Sequence, residues 1–132
     1  MGSRSKARKR ALDLLYAGEL RGEDPVAVLE RAIAEGAGPS NAYTADLVRG
    51  VSAHREEIDE AIRARARGWT LERMPAVDRN ALRIGVFEIL HVDDVPGQVA
   101  VAEAVELVRD LSTDESPSFV NGVLDAVRRE HG

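Results

Sequence analysis

The run from Val77 to His91 constrains this chain most, because Val77, Ala81, Leu82, Ile84, Val86, Phe87, Ile89 and Leu90 put apolar side chains almost all round a helix. A helix without a polar face cannot lie on a surface and belongs in the middle of a bundle, covered by other helices. The rest of the chain supplies those covers. Its apolar residues recur at spacings of three and four, and no stretch alternates as a strand would.

A first helix is predicted from about Ser3–Ser5 to Leu20, with Ala7, Ala11, Leu14, Leu15 and Gly18 on one face and Lys6, Lys9, Arg10 and Asp13 on the other. Gly22 and Pro25 punctuate the chain before a second helix, about Pro25 to Glu35, which uses Val28, Leu29, Ala32 and Ile33. Gly36 to Ser40 reads as a loop. Tyr43, Leu47, Val51, Ile58 and Ile62 predict two further helices, broken near His54–Arg55 where the spacing slips. Asp59 and Arg63 form an i,i+4 pair on the second of them. Trp69 to Pro75 is a connector, and Asp93 to Gly97 stops the apolar helix. A sixth helix, about Val99 to Leu111, buries Val101, Ala104, Val105, Val108 and Leu111; a polar loop at Ser112–Glu115 leads into a last helix from about Pro117 to Arg129. Seven helices without a long linker predict one all-α domain over residues 1–132.

Catalytic chemistry has little to work with. The chain has no cysteine, which excludes disulfides, thiolate metal sites and a cysteine nucleophile. His54, His91 and His131 have no i,i+4 partner histidine, so a helical zinc pair is excluded and no metal or cofactor is expected. Phosphate-binding and dinucleotide-binding glycine fingerprints are missing, and Glu56-Glu57, Asp59-Glu60 and Asp93-Asp94 read as solvated carboxylates. No signal peptide or membrane span is recognisable, which predicts a cytoplasmic protein and no membrane partner.

Charge is more informative. The net charge of −5 conceals an asymmetry: Arg4, Lys6, Arg8, Lys9 and Arg10 lie in the first ten residues without an acid among them. Taking these five from the 18 basic residues leaves 13 against 23 acidic ones. A cationic arm on an anionic body suits a nucleic-acid contact. Five phosphate contacts to a single strand would give a log–log salt slope of about −3.5. Phosphate contacts read no sequence, however.

Sequence reading requires unpaired bases, and the last helix offers groups for them. Ser116-Pro117 starts it with a cap and a first-turn proline. Phe119 either stacks on a base or packs in the core with Val120, Val123, Leu124 and Val127. Asn121 presents both donor and acceptor to a base edge. Gly122, in a helix interior, costs about 1 kcal/mol against alanine, which predicts close approach of another helix or a ligand.

The string Phe119-Val120-Asn121-Gly122-Val123-Leu124-Asp125 resembles the signature of the NusB family. Ala7-Arg8-Lys9-Arg10-Ala11 with Leu15-Tyr16 is similar to that family's arginine-rich first helix. Val77-Asp78-Arg79, Leu82-Arg83-Ile84, Glu88-Ile89-Leu90, Asp94-Val95-Pro96 and Val99 to Leu107 extend the resemblance, which looks closest to the high-GC actinobacterial branch. The resemblance implies a fold of two packed helical bundles and a factor in transcription antitermination and ribosomal-RNA processing. It implies binding to boxA, a short single-stranded RNA element, together with the small-subunit ribosomal protein also called NusE, and attachment of that complex to elongating RNA polymerase with other Nus factors. Carried over, Arg4, Lys6, Arg8, Lys9, Arg10, Ser116, Phe119 and Asn121 face RNA, while Tyr16, Glu72 and Asp78 contact the ribosomal protein. Two departures stand out: Asp78 occupies a position that is often Glu, and Glu115-Ser116 replaces a common Asp-Ser. The alternative is a helical adaptor that does not bind RNA, or one that self-associates as a homodimer through its first helix and its central helix.

Overall fold

The computed structural model describes residues 2–131, and these form seven α-helices and one short 3-10 turn. They divide into two compact units, Met1–Ala53 and His54–Gly132. Among the described residues no helix is long and apolar enough to cross a membrane.

The first unit holds α1 (Ser3–Arg21), α2 (Pro25–Ala34) and α3 (Ala42–Ala53), which pack on one another pairwise. Helix α1 ends at Gly22, whose left-handed φ of 66° turns its N–H back onto the last carbonyls. Asp24 then caps α2 by accepting the Val26 N–H at 3.1 Å, with Pro25 in the first turn. The core is Ala7, Ala11, Leu12, Leu14, Leu15, Val28, Leu29, Leu47, Val48 and Val51. Two side chains tie the start of α3 to the start of α1. Thr44 Oγ1 donates to the Ala7 carbonyl at 3.0 Å, and Asn41 Nδ2 donates to that of Ser3 at 3.2 Å. Asn41 Oδ1 also accepts the Tyr43 N–H, which fixes its amide in place. The basic arm is therefore a held helical turn and not a loose tail.

The second unit comprises α4 (Arg55–Arg63), a 3-10 turn (Leu71–Arg73), α5 (Ala76–His91), α6 (Gly97–Leu111) and α7 (Ser116–His131). Helix α5 is buried along nearly its whole length, against α4, α6 and α7. Gly85 permits the closest approach: a Cβ there would lie 2.6 Å from Leu124 Cδ1 of α7. Arg79 Nη1 donates to the Leu71 and Met74 carbonyls at 2.7 and 3.0 Å, which pins the 3-10 turn to α5.

Two expectations are corrected here. Helix α6 buries Ala100, Val101, Ala104, Leu107 and Val108, whereas Val105 is half-buried and Leu111 exposed. Its buried stripe is displaced around the helix because α5 and α7 both lean on it. Asp59 is not solvated but buried, and its partner is not Arg63. Its carboxylate takes Arg83 Nε at 2.9 Å and Nη2 at 3.2 Å, and Arg55 Nε at 2.9 Å. Burial pushes the Asp59 carboxyl up, but the hydrogen bonds and charges of Arg83 and Arg55 outweigh it and hold it below its ordinary value.

Candidate nucleic-acid interface

The basic arm occupies the first turns of α1, where local electrostatics oppose it. The helix N-terminus carries partial positive charge, and no acidic residue lies in the first turn. Lys6, Lys9 and Arg10 are all exposed and sit at i, i+3 and i+4, so they share one face. Each like-charge pair at that spacing costs about 0.2–0.5 kcal/mol. A concentration of positive charge held this way is relieved by an anion.

The other two arginines behave differently. The Arg4 guanidinium lies 4.2 Å above the Tyr43 ring, within cation–π range, while its residue stays exposed. Arg8 is only 3% exposed, with its guanidinium 5.9 Å from the same ring. Arg8, one of the five cations expected to face RNA, lies one turn after Arg4 on the buried face with Ala7 and Ala11.

On the second unit, Ser116 is likewise buried, at 1% exposure. Its Oγ donates to Asp78 Oδ2 at 2.8 Å and accepts the Thr113 N–H at 3.2 Å, with the Thr113 hydroxyl 2.8 Å away. It clamps the loop before α7 onto the first turn of α5. Ser116 is a positioning residue for the start of α7, not a surface group. Asp78, 3% exposed, is consumed by that clamp through Oδ2, and its Oδ1 is buried without a hydrogen-bond partner. The carboxylate expected to face a protein partner therefore points inward. Glu72 of the 3-10 turn is exposed, as is Tyr16 of α1 at 39%. Leu20, one turn beyond Tyr16 on the same face, is 70% exposed.

Phe119 is not enclosed in the core. It is half-buried, and its ring lies 6.3 Å from that of Trp69 at 58°. Trp69 is 51% exposed. Sequence reasoning missed Trp69 because a connector carries no periodicity. The available signal was a tryptophan, the only one in the chain, inside a polar segment. Asn121 and Gly122 are exposed. At 100° per residue Phe119 and Asn121 lie on opposite edges of the exposed face of α7, with Gly122 and Ser118 between them. A Cβ on Gly122 would meet nothing within 4 Å, so the expected close approach of another helix is not found among the described residues.

A family model described as the NusB family matches residues 5–129. The chain belongs to the NusB family. It is similar to the transcription antitermination protein NusB of Nocardioides sp., 64% identical over 129 residues that cover 98% of this chain and 96% of that protein. The namesake protein of Saccharopolyspora erythraea is 57% identical and covered to 87%. Among solved structures, T. maritima NusB superposes with a TM-score of 0.87 at 32% identity, covering 99% of this chain and 94% of that one. A structure described as antitermination factors NusB and NusE in complex with dsRNA has a TM-score of 0.82 at 32% identity, with 96% of each chain covered. The NusB match includes the arm from Ser5 onward and the start of α7.

Proposed function

We propose that this chain, a transcription antitermination factor of the NusB family, binds boxA-type single-stranded RNA through two surfaces. The α1 face of Lys6, Lys9 and Arg10, joined by Arg4, takes phosphates. The Trp69–Phe119 pair and Asn121 take bases, and the strand crosses α7 over Gly122. The observation that carries this reading is the like-charged cation cluster on the first turns of α1, a mutual repulsion that an anionic ligand relieves. No catalytic step is assigned to the chain.

A protein partner is supported by Tyr16 and Leu20, which present an apolar stripe on the second half of α1. We assign that stripe, and likewise Glu72, to a NusE-type ribosomal protein, and propose that the resulting complex attaches to RNA polymerase with other Nus factors. The same stripe favours a homodimer as the second reading. Light scattering of the chain alone, with and without Leu20→Glu, separates the two. A monomer that still binds the ribosomal protein supports the first.

The test is fluorescence anisotropy of a boxA-type strand, a scrambled strand and a duplex. Phe119→Ala and Trp69→Ala are each expected to lose about 1–3 kcal/mol with the unpaired boxA-type strand and little with the duplex, whose bases are stacked internally. Equal binding to all three RNAs at 150 mM salt would defeat the reading. Gly122→Ala should stabilise the folded chain by about 1 kcal/mol, since α7 gains helix propensity and the new methyl meets nothing. If RNA crosses α7 there, the same change weakens boxA-type binding. Unchanged affinity would move the strand's path away from α7.

A further inference from the structure

Outside the surfaces already described, α4 and α5 bring together three side chains that carry metal-ligand chemistry. His54 immediately precedes α4, Glu57 is in its first turn, and His91 is the last residue of α5. His91 Nε2 lies 2.6 Å from Glu57 Oε1, and His54 Nδ1 lies 3.7 Å from the same oxygen. The two imidazoles stack, with centroids 3.9 Å apart and planes at 20°. All the ligating atoms fall within 4.8 Å of one another. Phe87, one turn before His91, closes one side, its ring 6.1 Å from His54 and 5.8 Å from His91.

We propose that His54, Glu57 and His91 form a binding site for a borderline divalent transition-metal ion such as Zn2+. Bonds of about 2.0–2.2 Å in tetrahedral geometry place ligand atoms about 3.4 Å apart. The two observed His–Glu separations bracket that spacing, within the reach of side-chain rotation. Two imidazoles with one carboxylate favour zinc, nickel or copper over magnesium or calcium, which prefer oxygen ligands. Half-buried His54 and exposed Glu57 and His91 leave an open face for a hydrated ion and a fourth ligand from water. The ion fastens the start of α4 to the end of α5, which share the Asp59–Arg83 pair in their interior. The i,i+4 rule misses such a site because its histidines lie 37 positions apart on two helices.

The test uses the tag-free full chain, stripped with a chelator and titrated calorimetrically with ZnCl2 and, separately, MgCl2. One equivalent of Zn2+ with a rise in melting temperature is expected, and no heat with Mg2+. His91→Ala and His54→Ala should each weaken Zn2+ binding at least tenfold, with their metal-free melting curves and helical circular dichroism confirming that they fold. His131→Ala should bind like the parent. The proposal is overturned by absence of a Zn2+ isotherm, by equal binding of Mg2+, or by a site that survives His54→Ala and His91→Ala and disappears with His131→Ala.

Discussion

Arg83→Met is expected to cost about 3–5 kcal/mol of stability, the range for removing one partner of a buried ion pair. Arg83 is 4% exposed, and its guanidinium is shared between the Asp59 carboxylate and Asn80 Oδ1, the latter at 3.2 Å. Methionine fills much of the volume but leaves Asp59 buried, with Arg55 its remaining partner from the solvent side. That survivor places the loss toward the lower end of the range. The double variant Arg83→Met/Asp59→Leu should recover most of it, because replacing a whole buried pair with apolar groups is close to neutral. Urea denaturation followed by Trp69 fluorescence reads the unit concerned, since the chain has a single tryptophan. A loss under about 1 kcal/mol would demote the pair to the level of a surface bridge. The same carboxylate carries a pH signature. Its folded-state value is depressed, so its contribution is present above the unfolded value of about 4 and is lost as pH falls through the lower folded value. Acid unfolding below about pH 4 should therefore be less steep in Asp59→Asn than in the parent.

The apolar run from Val77 to Leu90 made α5 and its central place legible, because covering a helix on all sides requires neighbours whatever their order. Helix ends were legible where a residue has a local reason to stop the chain, as at Gly22 and Pro25. Burial of polar residues was not. Asp59 looks like its neighbour Glu60 in sequence, and the buried partner that distinguishes it, Arg83, lies 24 positions later. Arg8 and Ser116 follow the same logic. Each has the right residue type for an RNA surface, and each is consumed by contacts that no periodicity encodes. Phe119 was legible as a choice between core and base; its ring stands half out of the core, beside Trp69. Short-range spacing also hides the His54–His91 stack, which two helices create between them. Patterns along one helix report which face is apolar; they do not report what the polar groups meet.

RNA affinity should fall about fifty-fold between 50 and 200 mM salt, with a log–log slope of about −2.8. The value follows from which cations the fold exposes. Arg4, Lys6, Lys9 and Arg10 are at the surface, whereas Arg8 is enclosed, so the proposed interface would neutralise four phosphates and not five. Five would give about −3.5 and a loss above a hundredfold; that steeper slope would show that Arg8 leaves its place beside Tyr43 when RNA arrives. Arg8→Met therefore should leave the slope near −2.8. The triple variant Lys6→Ala/Lys9→Ala/Arg10→Ala should flatten it toward about −0.7, the contribution of one remaining cation. Stability should move the other way. Lys6 repels Lys9 and Arg10 across the i,i+3 and i,i+4 spacings, so removal of the three side chains is expected to stabilise the first helix by a few tenths of a kcal/mol per pair. Opposite signs in the two measurements separate a binding role from a structural one: removing cations kept for folding would lower the melting temperature, whereas removing cations kept for RNA raises it and flattens the salt dependence of binding.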